Sequence, residues 1–120
     1  MSRLTLPKNA RLLKRKQFVY VQRNGRCCRA DQVTLRVVPS RHSNTSKVGI
    51  TVSKKFGKAH QRNRFKRIVR EAFRHVRPNL PGCQVVISPR GNSQPDFLKL
   101  SEELLQRIPE ALPLASSSRC

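Results

Sequence analysis

Acidic side chains are scarce in this 120-residue chain: six Asp and Glu stand against 26 Lys and Arg, which gives a formal net charge of +20. A protein nuclease usually needs several carboxylates to hold divalent metal ions. The shortage therefore argues against a protein that cleaves nucleic acid by itself. So many positive charges repel one another in a compact chain, and the partner that would offset them is a polyanion, either nucleic acid or an anionic membrane.

Long apolar stretches are also missing. No segment approaches the roughly 18 apolar residues of a membrane span, and the N-terminus lacks the apolar run of a secretory signal peptide. Residues 1–30 contain nine Lys or Arg and no acid, which leaves a mitochondrial transit peptide as an alternative, although the segment is poor in Ser. We therefore expect a cytoplasmic protein that makes no membrane contact.

Spacings typical of metal sites do not occur. Cys27 and Cys28 are adjacent and form no C-x-x-C motif, and no His lies at zinc-finger spacing. His42, His60 and His75 include no i, i+4 pair. We expect no metal site and no catalytic residue in the protein, and we expect reduced thiols, as is usual in the cytoplasm.

Hydrophobic residues make up 37% of the chain, enough for one modest core. A basic segment from Ala10 to Asn24 that ends at Gly25 predicts a first helix, although the apolar run at 18–21 also allows a strand. Residues 33–38 and 47–53 predict two strands. We expect these two strands to pair as a hairpin through the polar turn between them.

The C-terminal third of the chain is close to neutral, and we expect it to support the fold and not to bind nucleic acid. Residues 83–88 predict a short buried strand, and residues 94–108 predict a last helix, with Ser93 and Asp96 in capping-box spacing. We therefore predict a single RNA-binding domain over residues 1–120, with an ordered core over about 8–108 and a flexible tail over 109–120.

A basic amphipathic helix follows Gly57. At about 100° per residue, its apolar residues fall within a sector of roughly 140°, as in a helix that packs on a core; they are Phe65, Ile68, Val69, Ala72, Phe73 and Val76. The adjoining sector of the helix is cationic and contains Asn63, Lys66, Arg67, Arg70, Arg74 and Arg77. Glu71 lies beyond the edge of this cationic sector. Like charges on one stripe repel unless phosphates lie against them, so the pattern predicts a nucleic-acid-binding face.

The segment around this helix resembles the signature of the bacterial ribonuclease P protein subunit. The matching runs are VSKKFGKA at 52–59, RNRFKR at 62–67 and REAFR at 70–74. Similarity extends over about residues 8–108. From charge and size alone, a structural RNA-binding protein such as a small ribosomal protein remains the alternative, and a DNA-binding helix-turn-helix module is disfavoured because strand and loop precede the basic helix.

The resemblance implies an α/β fold of the α+β sandwich type, in which a mixed four-stranded sheet packs with three helices. It also implies a left-handed βαβ crossover, although about 98% of such crossovers are right-handed. By resemblance the protein is a subunit of a ribonucleoprotein endoribonuclease that removes the 5′ leader of precursor tRNA. The catalytic RNA carries out phosphodiester hydrolysis with Mg²⁺ that the RNA mainly holds. The expected partners are this RNA and precursor tRNA, with no obligate protein partner.

The resemblance further implies two RNA-binding surfaces. The first, here called the basic-helix surface, would bind the catalytic RNA and comprises Lys54, Lys55, Lys58, Arg62, Asn63, Arg64, Lys66, Arg67, Arg70 and Arg74. The second, the leader cleft, would lie between the first helix and the open face of the sheet and comprises Phe18, Tyr20, Arg36 and Ser53. Arg36 and Gln22 stand where some relatives have aromatic residues, so leader contact here is expected to rely more on charge than on stacking.

Overall fold

The fold is a four-stranded sheet with helices on both faces. The structure, a computed structural model, describes residues 11–12, 14–39, 46–80, 82–91 and 93–111. Two short 3-10 turns join the regular elements, at Lys54–Phe56 and Arg77–Asn79. In chain order the helices and strands are α1 (Arg15–Asn24), β1 (Arg26–Arg29), β2 (Val33–Pro39), β3 (Lys47–Ile50), α2 (Ala59–Val76), β4 (Cys83–Pro89) and α3 (Phe97–Ala111).

The strands lie in the order β1-β2-β4-β3, with β3 parallel to β4 and the other neighbours antiparallel. The predicted mixed four-stranded sheet with three helices is therefore confirmed. The left-handed sense of the β3–α2–β4 connection stays a prediction.

The predicted hairpin of β2 and β3 is wrong, because β4 lies between these two strands. In β4, Cys83, Val85, Val86 and Ile87 are all buried, and they lie on both faces of the strand. A strand buried on both faces is stable in the middle of a sheet, and a β2–β3 hairpin would have left it at an edge.

The larger core lies between the sheet and the pair α2 and α3. Every residue of the predicted apolar stripe of α2 is buried except Ile68, which is partly buried against the same core. Phe65 and Phe73 are completely buried, and complete burial of such a side chain stabilises the fold by about 1.5–3 kcal/mol. The stripe predicted from the sequence is therefore confirmed as the face that holds α2 on the sheet.

A smaller apolar cluster lies under α1 on the other face, formed by Leu12, Val21, Val38 and Val86. The helix ends at Gly25 as predicted, and the Gly25 N–H donates to Val21 O at 2.7 Å.

The helix α1 begins at Arg15, five residues later than the predicted start at Ala10. The preceding segment is extended along the outer edge of β3, where the Leu12 N–H donates to Val48 O at 2.9 Å. The Gln17 side chain then accepts the Lys14 N–H at 3.0 Å. Because Leu12 is buried in this extended form, the helix starts only after it.

Both predicted limits of the last helix need correction. Asp96 itself caps α3, since its Oδ2 accepts the Lys99 N–H at 3.0 Å, so Ser93 is not the capping residue. The helix continues through Pro109 to Ala111, three residues beyond its predicted end at Ile108, while the flexibility of the tail stays a prediction. Proline removes only one backbone donor there, and the buried Ile108 holds the last turn on the core. Residues 112–120 of the predicted tail lie outside the described residues.

The two adjacent cysteines face opposite sides of β1. Cys28 pairs with Leu35 and packs against the larger core, whereas Cys27 pairs with Arg36 on the α1 side. Cys27 is disulfide-bonded, so the expectation of reduced thiols is wrong at this position, while Cys28 and Cys83 are free. Burial raises the pKa of the Cys83 thiol to about 12, which leaves it protonated and unreactive at neutral pH.

Gly57 sets the turn that leads into α2. Its φ of 157° and ψ of −168° lie in a region that only glycine adopts readily. A Cβ at this position would also clash with Oε1 of Gln61, the atom that accepts the Lys58 N–H at 2.8 Å at the start of α2. The turn and the helix start therefore depend on one another.

We expect Gly57→Ala to lower the free energy of unfolding by about 1–3 kcal/mol, because it adds backbone strain and displaces Gln61. Gly91→Ala is the matched control. No atom lies within 4 Å of a Cβ at position 91, so its effect should stay within about 0.5 kcal/mol. Urea denaturation followed by circular dichroism measures both changes. Equal stability of the two variants would contradict the role given to Gly57.

Candidate nucleic-acid interface

The ten predicted residues of the basic-helix surface lie in one continuous segment. Those on the 3-10 turn and its loop are exposed, and those on α2 are exposed or half-buried. The opposite stripe of α2, which includes Phe65, Val69 and Phe73, is buried on the sheet. Because that stripe fixes the rotation of the helix, the charged side chains must project from the other side.

The electrostatic field of this surface is strongly positive. Residues 54–77 contain ten Lys or Arg and one acid, Glu71. The N-terminus of α2 also carries the positive end of the helix dipole, and it lies next to Lys58 and Arg62. Backbone and side-chain charges of the same sign therefore meet at the start of α2, a favourable place for phosphate groups.

Glu71 makes less difference to this field than its contact suggests. The sequence placed it beyond the edge of the cationic sector, but Arg67 Nε lies 3.4 Å from Glu71 Oε2, one helical turn away. The side chains are 75% and 47% exposed. An ion pair so open to water contributes little, and Arg67 can exchange it for a phosphate at small cost.

Arg62 has a buried donor atom in its side chain. It is half-buried, and its Nε atom is buried without a hydrogen-bond partner among the described residues. Next to it, Gln94 Nε2 donates to Gln61 O at 2.8 Å and ties the first turn of α2 to the segment before α3. A buried donor without a partner in the protein is suited to donate a hydrogen bond to a ligand oxygen.

A cleft of about 160 Å³ lies beside this surface, where α1, β3 and α2 meet. The Phe18 ring covers Gly49 so closely that a Cβ there would lie 2.5 Å from the ring. Lys66 and Arg70 of the basic-helix surface line the same cleft. The structure therefore brings one predicted leader residue together with two residues predicted to bind the catalytic RNA.

The other three residues of the predicted leader cleft do not line this space. Tyr20 is half-buried against the smaller apolar cluster. Arg36 donates from Nη1 to Gln22 O at 3.4 Å, near the end of α1. Ser53 is exposed, and its carbonyl accepts the Phe56 N–H at 3.1 Å, which places it at the turn before α2.

Two residues of the cleft were missed at the level of sequence. Arg11 lines it, and the Nε of this side chain is buried without a hydrogen-bond partner among the described residues. Gly49 forms the seat of the Phe18 ring. A glycine inside an alternating strand is a sign of close approach, and this was the one available signal for the cleft.

Within the described ranges, no group of three or more His, Cys, Asp or Glu side chains could hold a metal ion. The helices described there include none that is long and apolar enough to cross a membrane.

Comparison with known proteins gives one consistent result. A family model described as Ribonuclease P matches residues 6–111. The chain is 99% identical over 120 residues to the ribonuclease P protein component of Chlamydia trachomatis serovar D, with 100% of both chains covered. It is 78% identical to the corresponding protein of Chlamydia muridarum, over 99% of this chain and 100% of that one.

The solved structure of the RNase P protein from Thermotoga maritima has the same fold, with a TM-score of 0.68 at 33% identity over 79% of this chain and 91% of that one. Size and charge alone had left a small ribosomal protein as the alternative, and these matches do not favour it. The SKK and RNR runs, the mixed sheet that holds them and the match along nearly the whole chain agree, and the chain belongs to the ribonuclease P protein family.

Proposed function

We propose that the protein acts in a ribonucleoprotein endoribonuclease that removes the 5′ leader of precursor tRNA. Its basic-helix surface binds the catalytic RNA, and the cleft beside Phe18 guides the single-stranded leader. The observation that carries this proposal is the shared cleft, in which an aromatic ring, Lys66 and Arg70 meet. A basic groove with an aromatic side chain is the usual arrangement for holding a single strand.

The proposal assigns hydrolysis to the RNA and charge neutralisation to the protein. The catalytic RNA and the precursor tRNA are both polyanions and repel each other. Lys and Arg side chains placed between them replace bound counterions, which raises substrate affinity and lowers the Mg²⁺ concentration that the complex needs. Mg²⁺ would be held mainly by the RNA, because the described part of the protein contains no carboxylate cluster for it. The complex would work in the cytoplasm.

The arginines of α2 are suited to phosphate because a guanidinium group can donate two parallel hydrogen bonds to one phosphate. Among the residues that the structure describes, the buried Nε of Arg62 has no partner, and Arg67 contacts Glu71 in an exposed ion pair. The cleft itself is lined by Lys66 and Arg70 on α2 and by Arg11 before α1. A strand in the cleft would thus stack on the ring while its phosphates meet cations on both walls.

The phosphate contacts predict a steep dependence of catalytic-RNA binding on salt. We expect Arg62→Ala combined with Arg67→Ala to flatten the slope of log K against log salt by about 1.4–1.8, since each lost phosphate contact reduces the slope by about 0.7–0.9. Filter binding at several salt concentrations measures the slope.

The matched control removes the same charge from another surface, through Lys99→Ala with Arg107→Ala on α3. That pair should leave the slope nearly unchanged. An unchanged slope in the Arg62 and Arg67 variant, or an equal change in both variants, would contradict the assignment of α2 to phosphate.

The aromatic floor of the cleft predicts a leader-specific effect. Phe18→Ala should weaken the binding of precursor tRNA by about 1–3 kcal/mol, which is the contribution of stacking one base on an aromatic side chain. The binding of mature tRNA, which has no leader, should change much less. Binding of both tRNAs to the reconstituted complex measures this. Val19→Ala on the exposed side of α1 is the control. The Phe18→Leu variant keeps more of the packing against Gly49 than Phe18→Ala does. It therefore separates the effect of losing the aromatic ring from the effect of losing packing. An equal loss of binding affinity for the two tRNAs would contradict the assignment of Phe18 to the leader site.

If the RNA carries out hydrolysis and the protein neutralises charge, the protein should stimulate cleavage most at low Mg²⁺ concentration. Adding the purified protein to the catalytic RNA and precursor tRNA at low Mg²⁺ should increase the rate of 5′ leader release, and the gain should shrink as Mg²⁺ rises. Gel analysis of the released leader measures the rate. No stimulation at any Mg²⁺ concentration would contradict the proposed function.

A further inference from the structure

A row of polar side chains crosses the face of the sheet that carries α1. Residues paired directly across neighbouring strands lie on the same face. Arg29 pairs with Thr34, and Thr34 pairs with Ser88. Thr51 follows β3 directly, and its Oγ1 lies 2.6 Å from Ser88 Oγ. These four residues therefore form one line across the sheet, here called the hydroxyl row.

The helix α1 leaves this row uncovered. The next row along the same face contains Cys27, Arg36, Val86 and Gly49. That second row is the one that α1 covers: Val86 belongs to the apolar cluster under the helix, Gly49 lies beneath the ring of Phe18, and Arg36 reaches a carbonyl near the helix end.

Accessibility agrees with this arrangement. The three hydroxyl residues of the row are half-buried and Arg29 is exposed. On the reverse side of the same strands, Val33, Leu35 and Ile87 are completely buried. The hydroxyl row is thus an open polar strip that borders the Phe18 cleft, and it is not part of either core.

The chemistry of the strip matches a ribose–phosphate chain. A hydroxyl group both donates and accepts, as does the 2′-OH of ribose. In the Thr51–Ser88 pair only one of the two hydroxyl hydrogens is used, so one donor and several acceptor positions remain. Arg29 at the end of the row and Arg36 beside it supply positive charge for phosphates. At the usual strand spacing the row is about 14 Å long, enough for a short run of extended nucleotides.

We propose that the hydroxyl row binds the ribose 2′-OH groups of the leader strand and thereby lets the protein distinguish an RNA leader from a DNA leader. The inference rests on the leader guidance proposed above and names its specificity-determining residues: Thr34, Thr51 and Ser88. Because Gly49 and Thr51 lie on neighbouring rows, a strand that leaves the Phe18 cleft passes directly onto the hydroxyl row. The 2′-OH is the group by which proteins tell RNA from DNA.

The test compares three substrates in the complex reconstituted with the catalytic RNA: precursor tRNA with an all-ribose leader, the same tRNA with 2′-deoxy residues from the third leader nucleotide outward, and tRNA without a leader. The nucleotides next to the cleavage site stay ribose, so contacts made there by the catalytic RNA do not change. The same substrates measured with the catalytic RNA alone give the preference that does not depend on the protein.

The wild-type complex should bind the all-ribose leader about tenfold more tightly than the deoxy leader, as expected for a few neutral hydrogen bonds. A triple variant with Thr34→Val, Thr51→Val and Ser88→Ala should bind both leaders equally, close to the wild-type affinity for the deoxy leader. Thr34→Ser with Thr51→Ser keeps every hydroxyl and should keep the preference. This conservative pair separates loss of the hydroxyl groups from a change in packing.

The outcomes separate the two proposals. If both leaders add equal affinity over leaderless tRNA, leader guidance stands and the hydroxyl-row inference is wrong. The same conclusion follows if the triple variant folds, as judged by its unfolding transition, and retains the full preference. If neither leader adds affinity, leader guidance itself is wrong and the inference is wrong with it.

Discussion

The burial of one stripe of α2 is the constraint on which the rest of the structure depends. The residues of this stripe pack between the sheet and α3, and they fix both the position and the rotation of the helix. The same contact also fixes where the cations of α2 lie. The cations of α2 repel one another, but the hydrophobic burial on the opposite side holds them on a rigid support, so their pattern exists before any RNA arrives.

As a consequence, the two faces of the sheet differ in how much apolar surface they bury. The face under α2 and α3 is apolar except at Arg26 on the edge strand, and it carries the larger core. The face under α1 is covered only in part, by a small cluster around Val21, Val38 and Val86. A second face with so little apolar contact leaves room for the Phe18 cleft and for polar side chains on the strands. One side of the sheet thus carries the larger core, and much of the other side is not covered by a helix.

The parts of the fold that could be predicted from the sequence are those decided by neighbouring residues. The stripe of α2 and the stop at Gly25 depend on local spacing, and both are confirmed. The pairing of β2 with β4 depends on a strand far along the chain, and alternation within β2 and β3 says nothing about it. The strand β1 was not predicted, because Arg26, Cys27, Cys28 and Arg29 show no clear alternation of apolar and polar residues.

The same distinction applies to the site. All ten residues of the basic-helix surface lie in one segment, so its signature in the sequence places them together. The Phe18 cleft combines Arg11, Gly49 and Lys66, which come from three distant segments, and no local pattern shows that they meet. The ends of α3 could not be predicted from local sequence either. Its start depends on the hydrogen bond that Asp96 accepts, and its extension through Pro109 depends on packing in the folded chain.

The extended segment before α1 has a consequence for the protein on its own. A parallel bridge joins Arg11 to Val48, and the Leu12 N–H binds Val48 O, so the chain occupies the outer edge of β3 with its own backbone. The opposite edge is β1, which begins and ends with arginine. Free sheet edges are where chains pair with copies of themselves and aggregate, and charged side chains on an edge oppose such pairing. The backbone bridge on one edge and the arginines on the other are both features that oppose edge-to-edge pairing of two sheets.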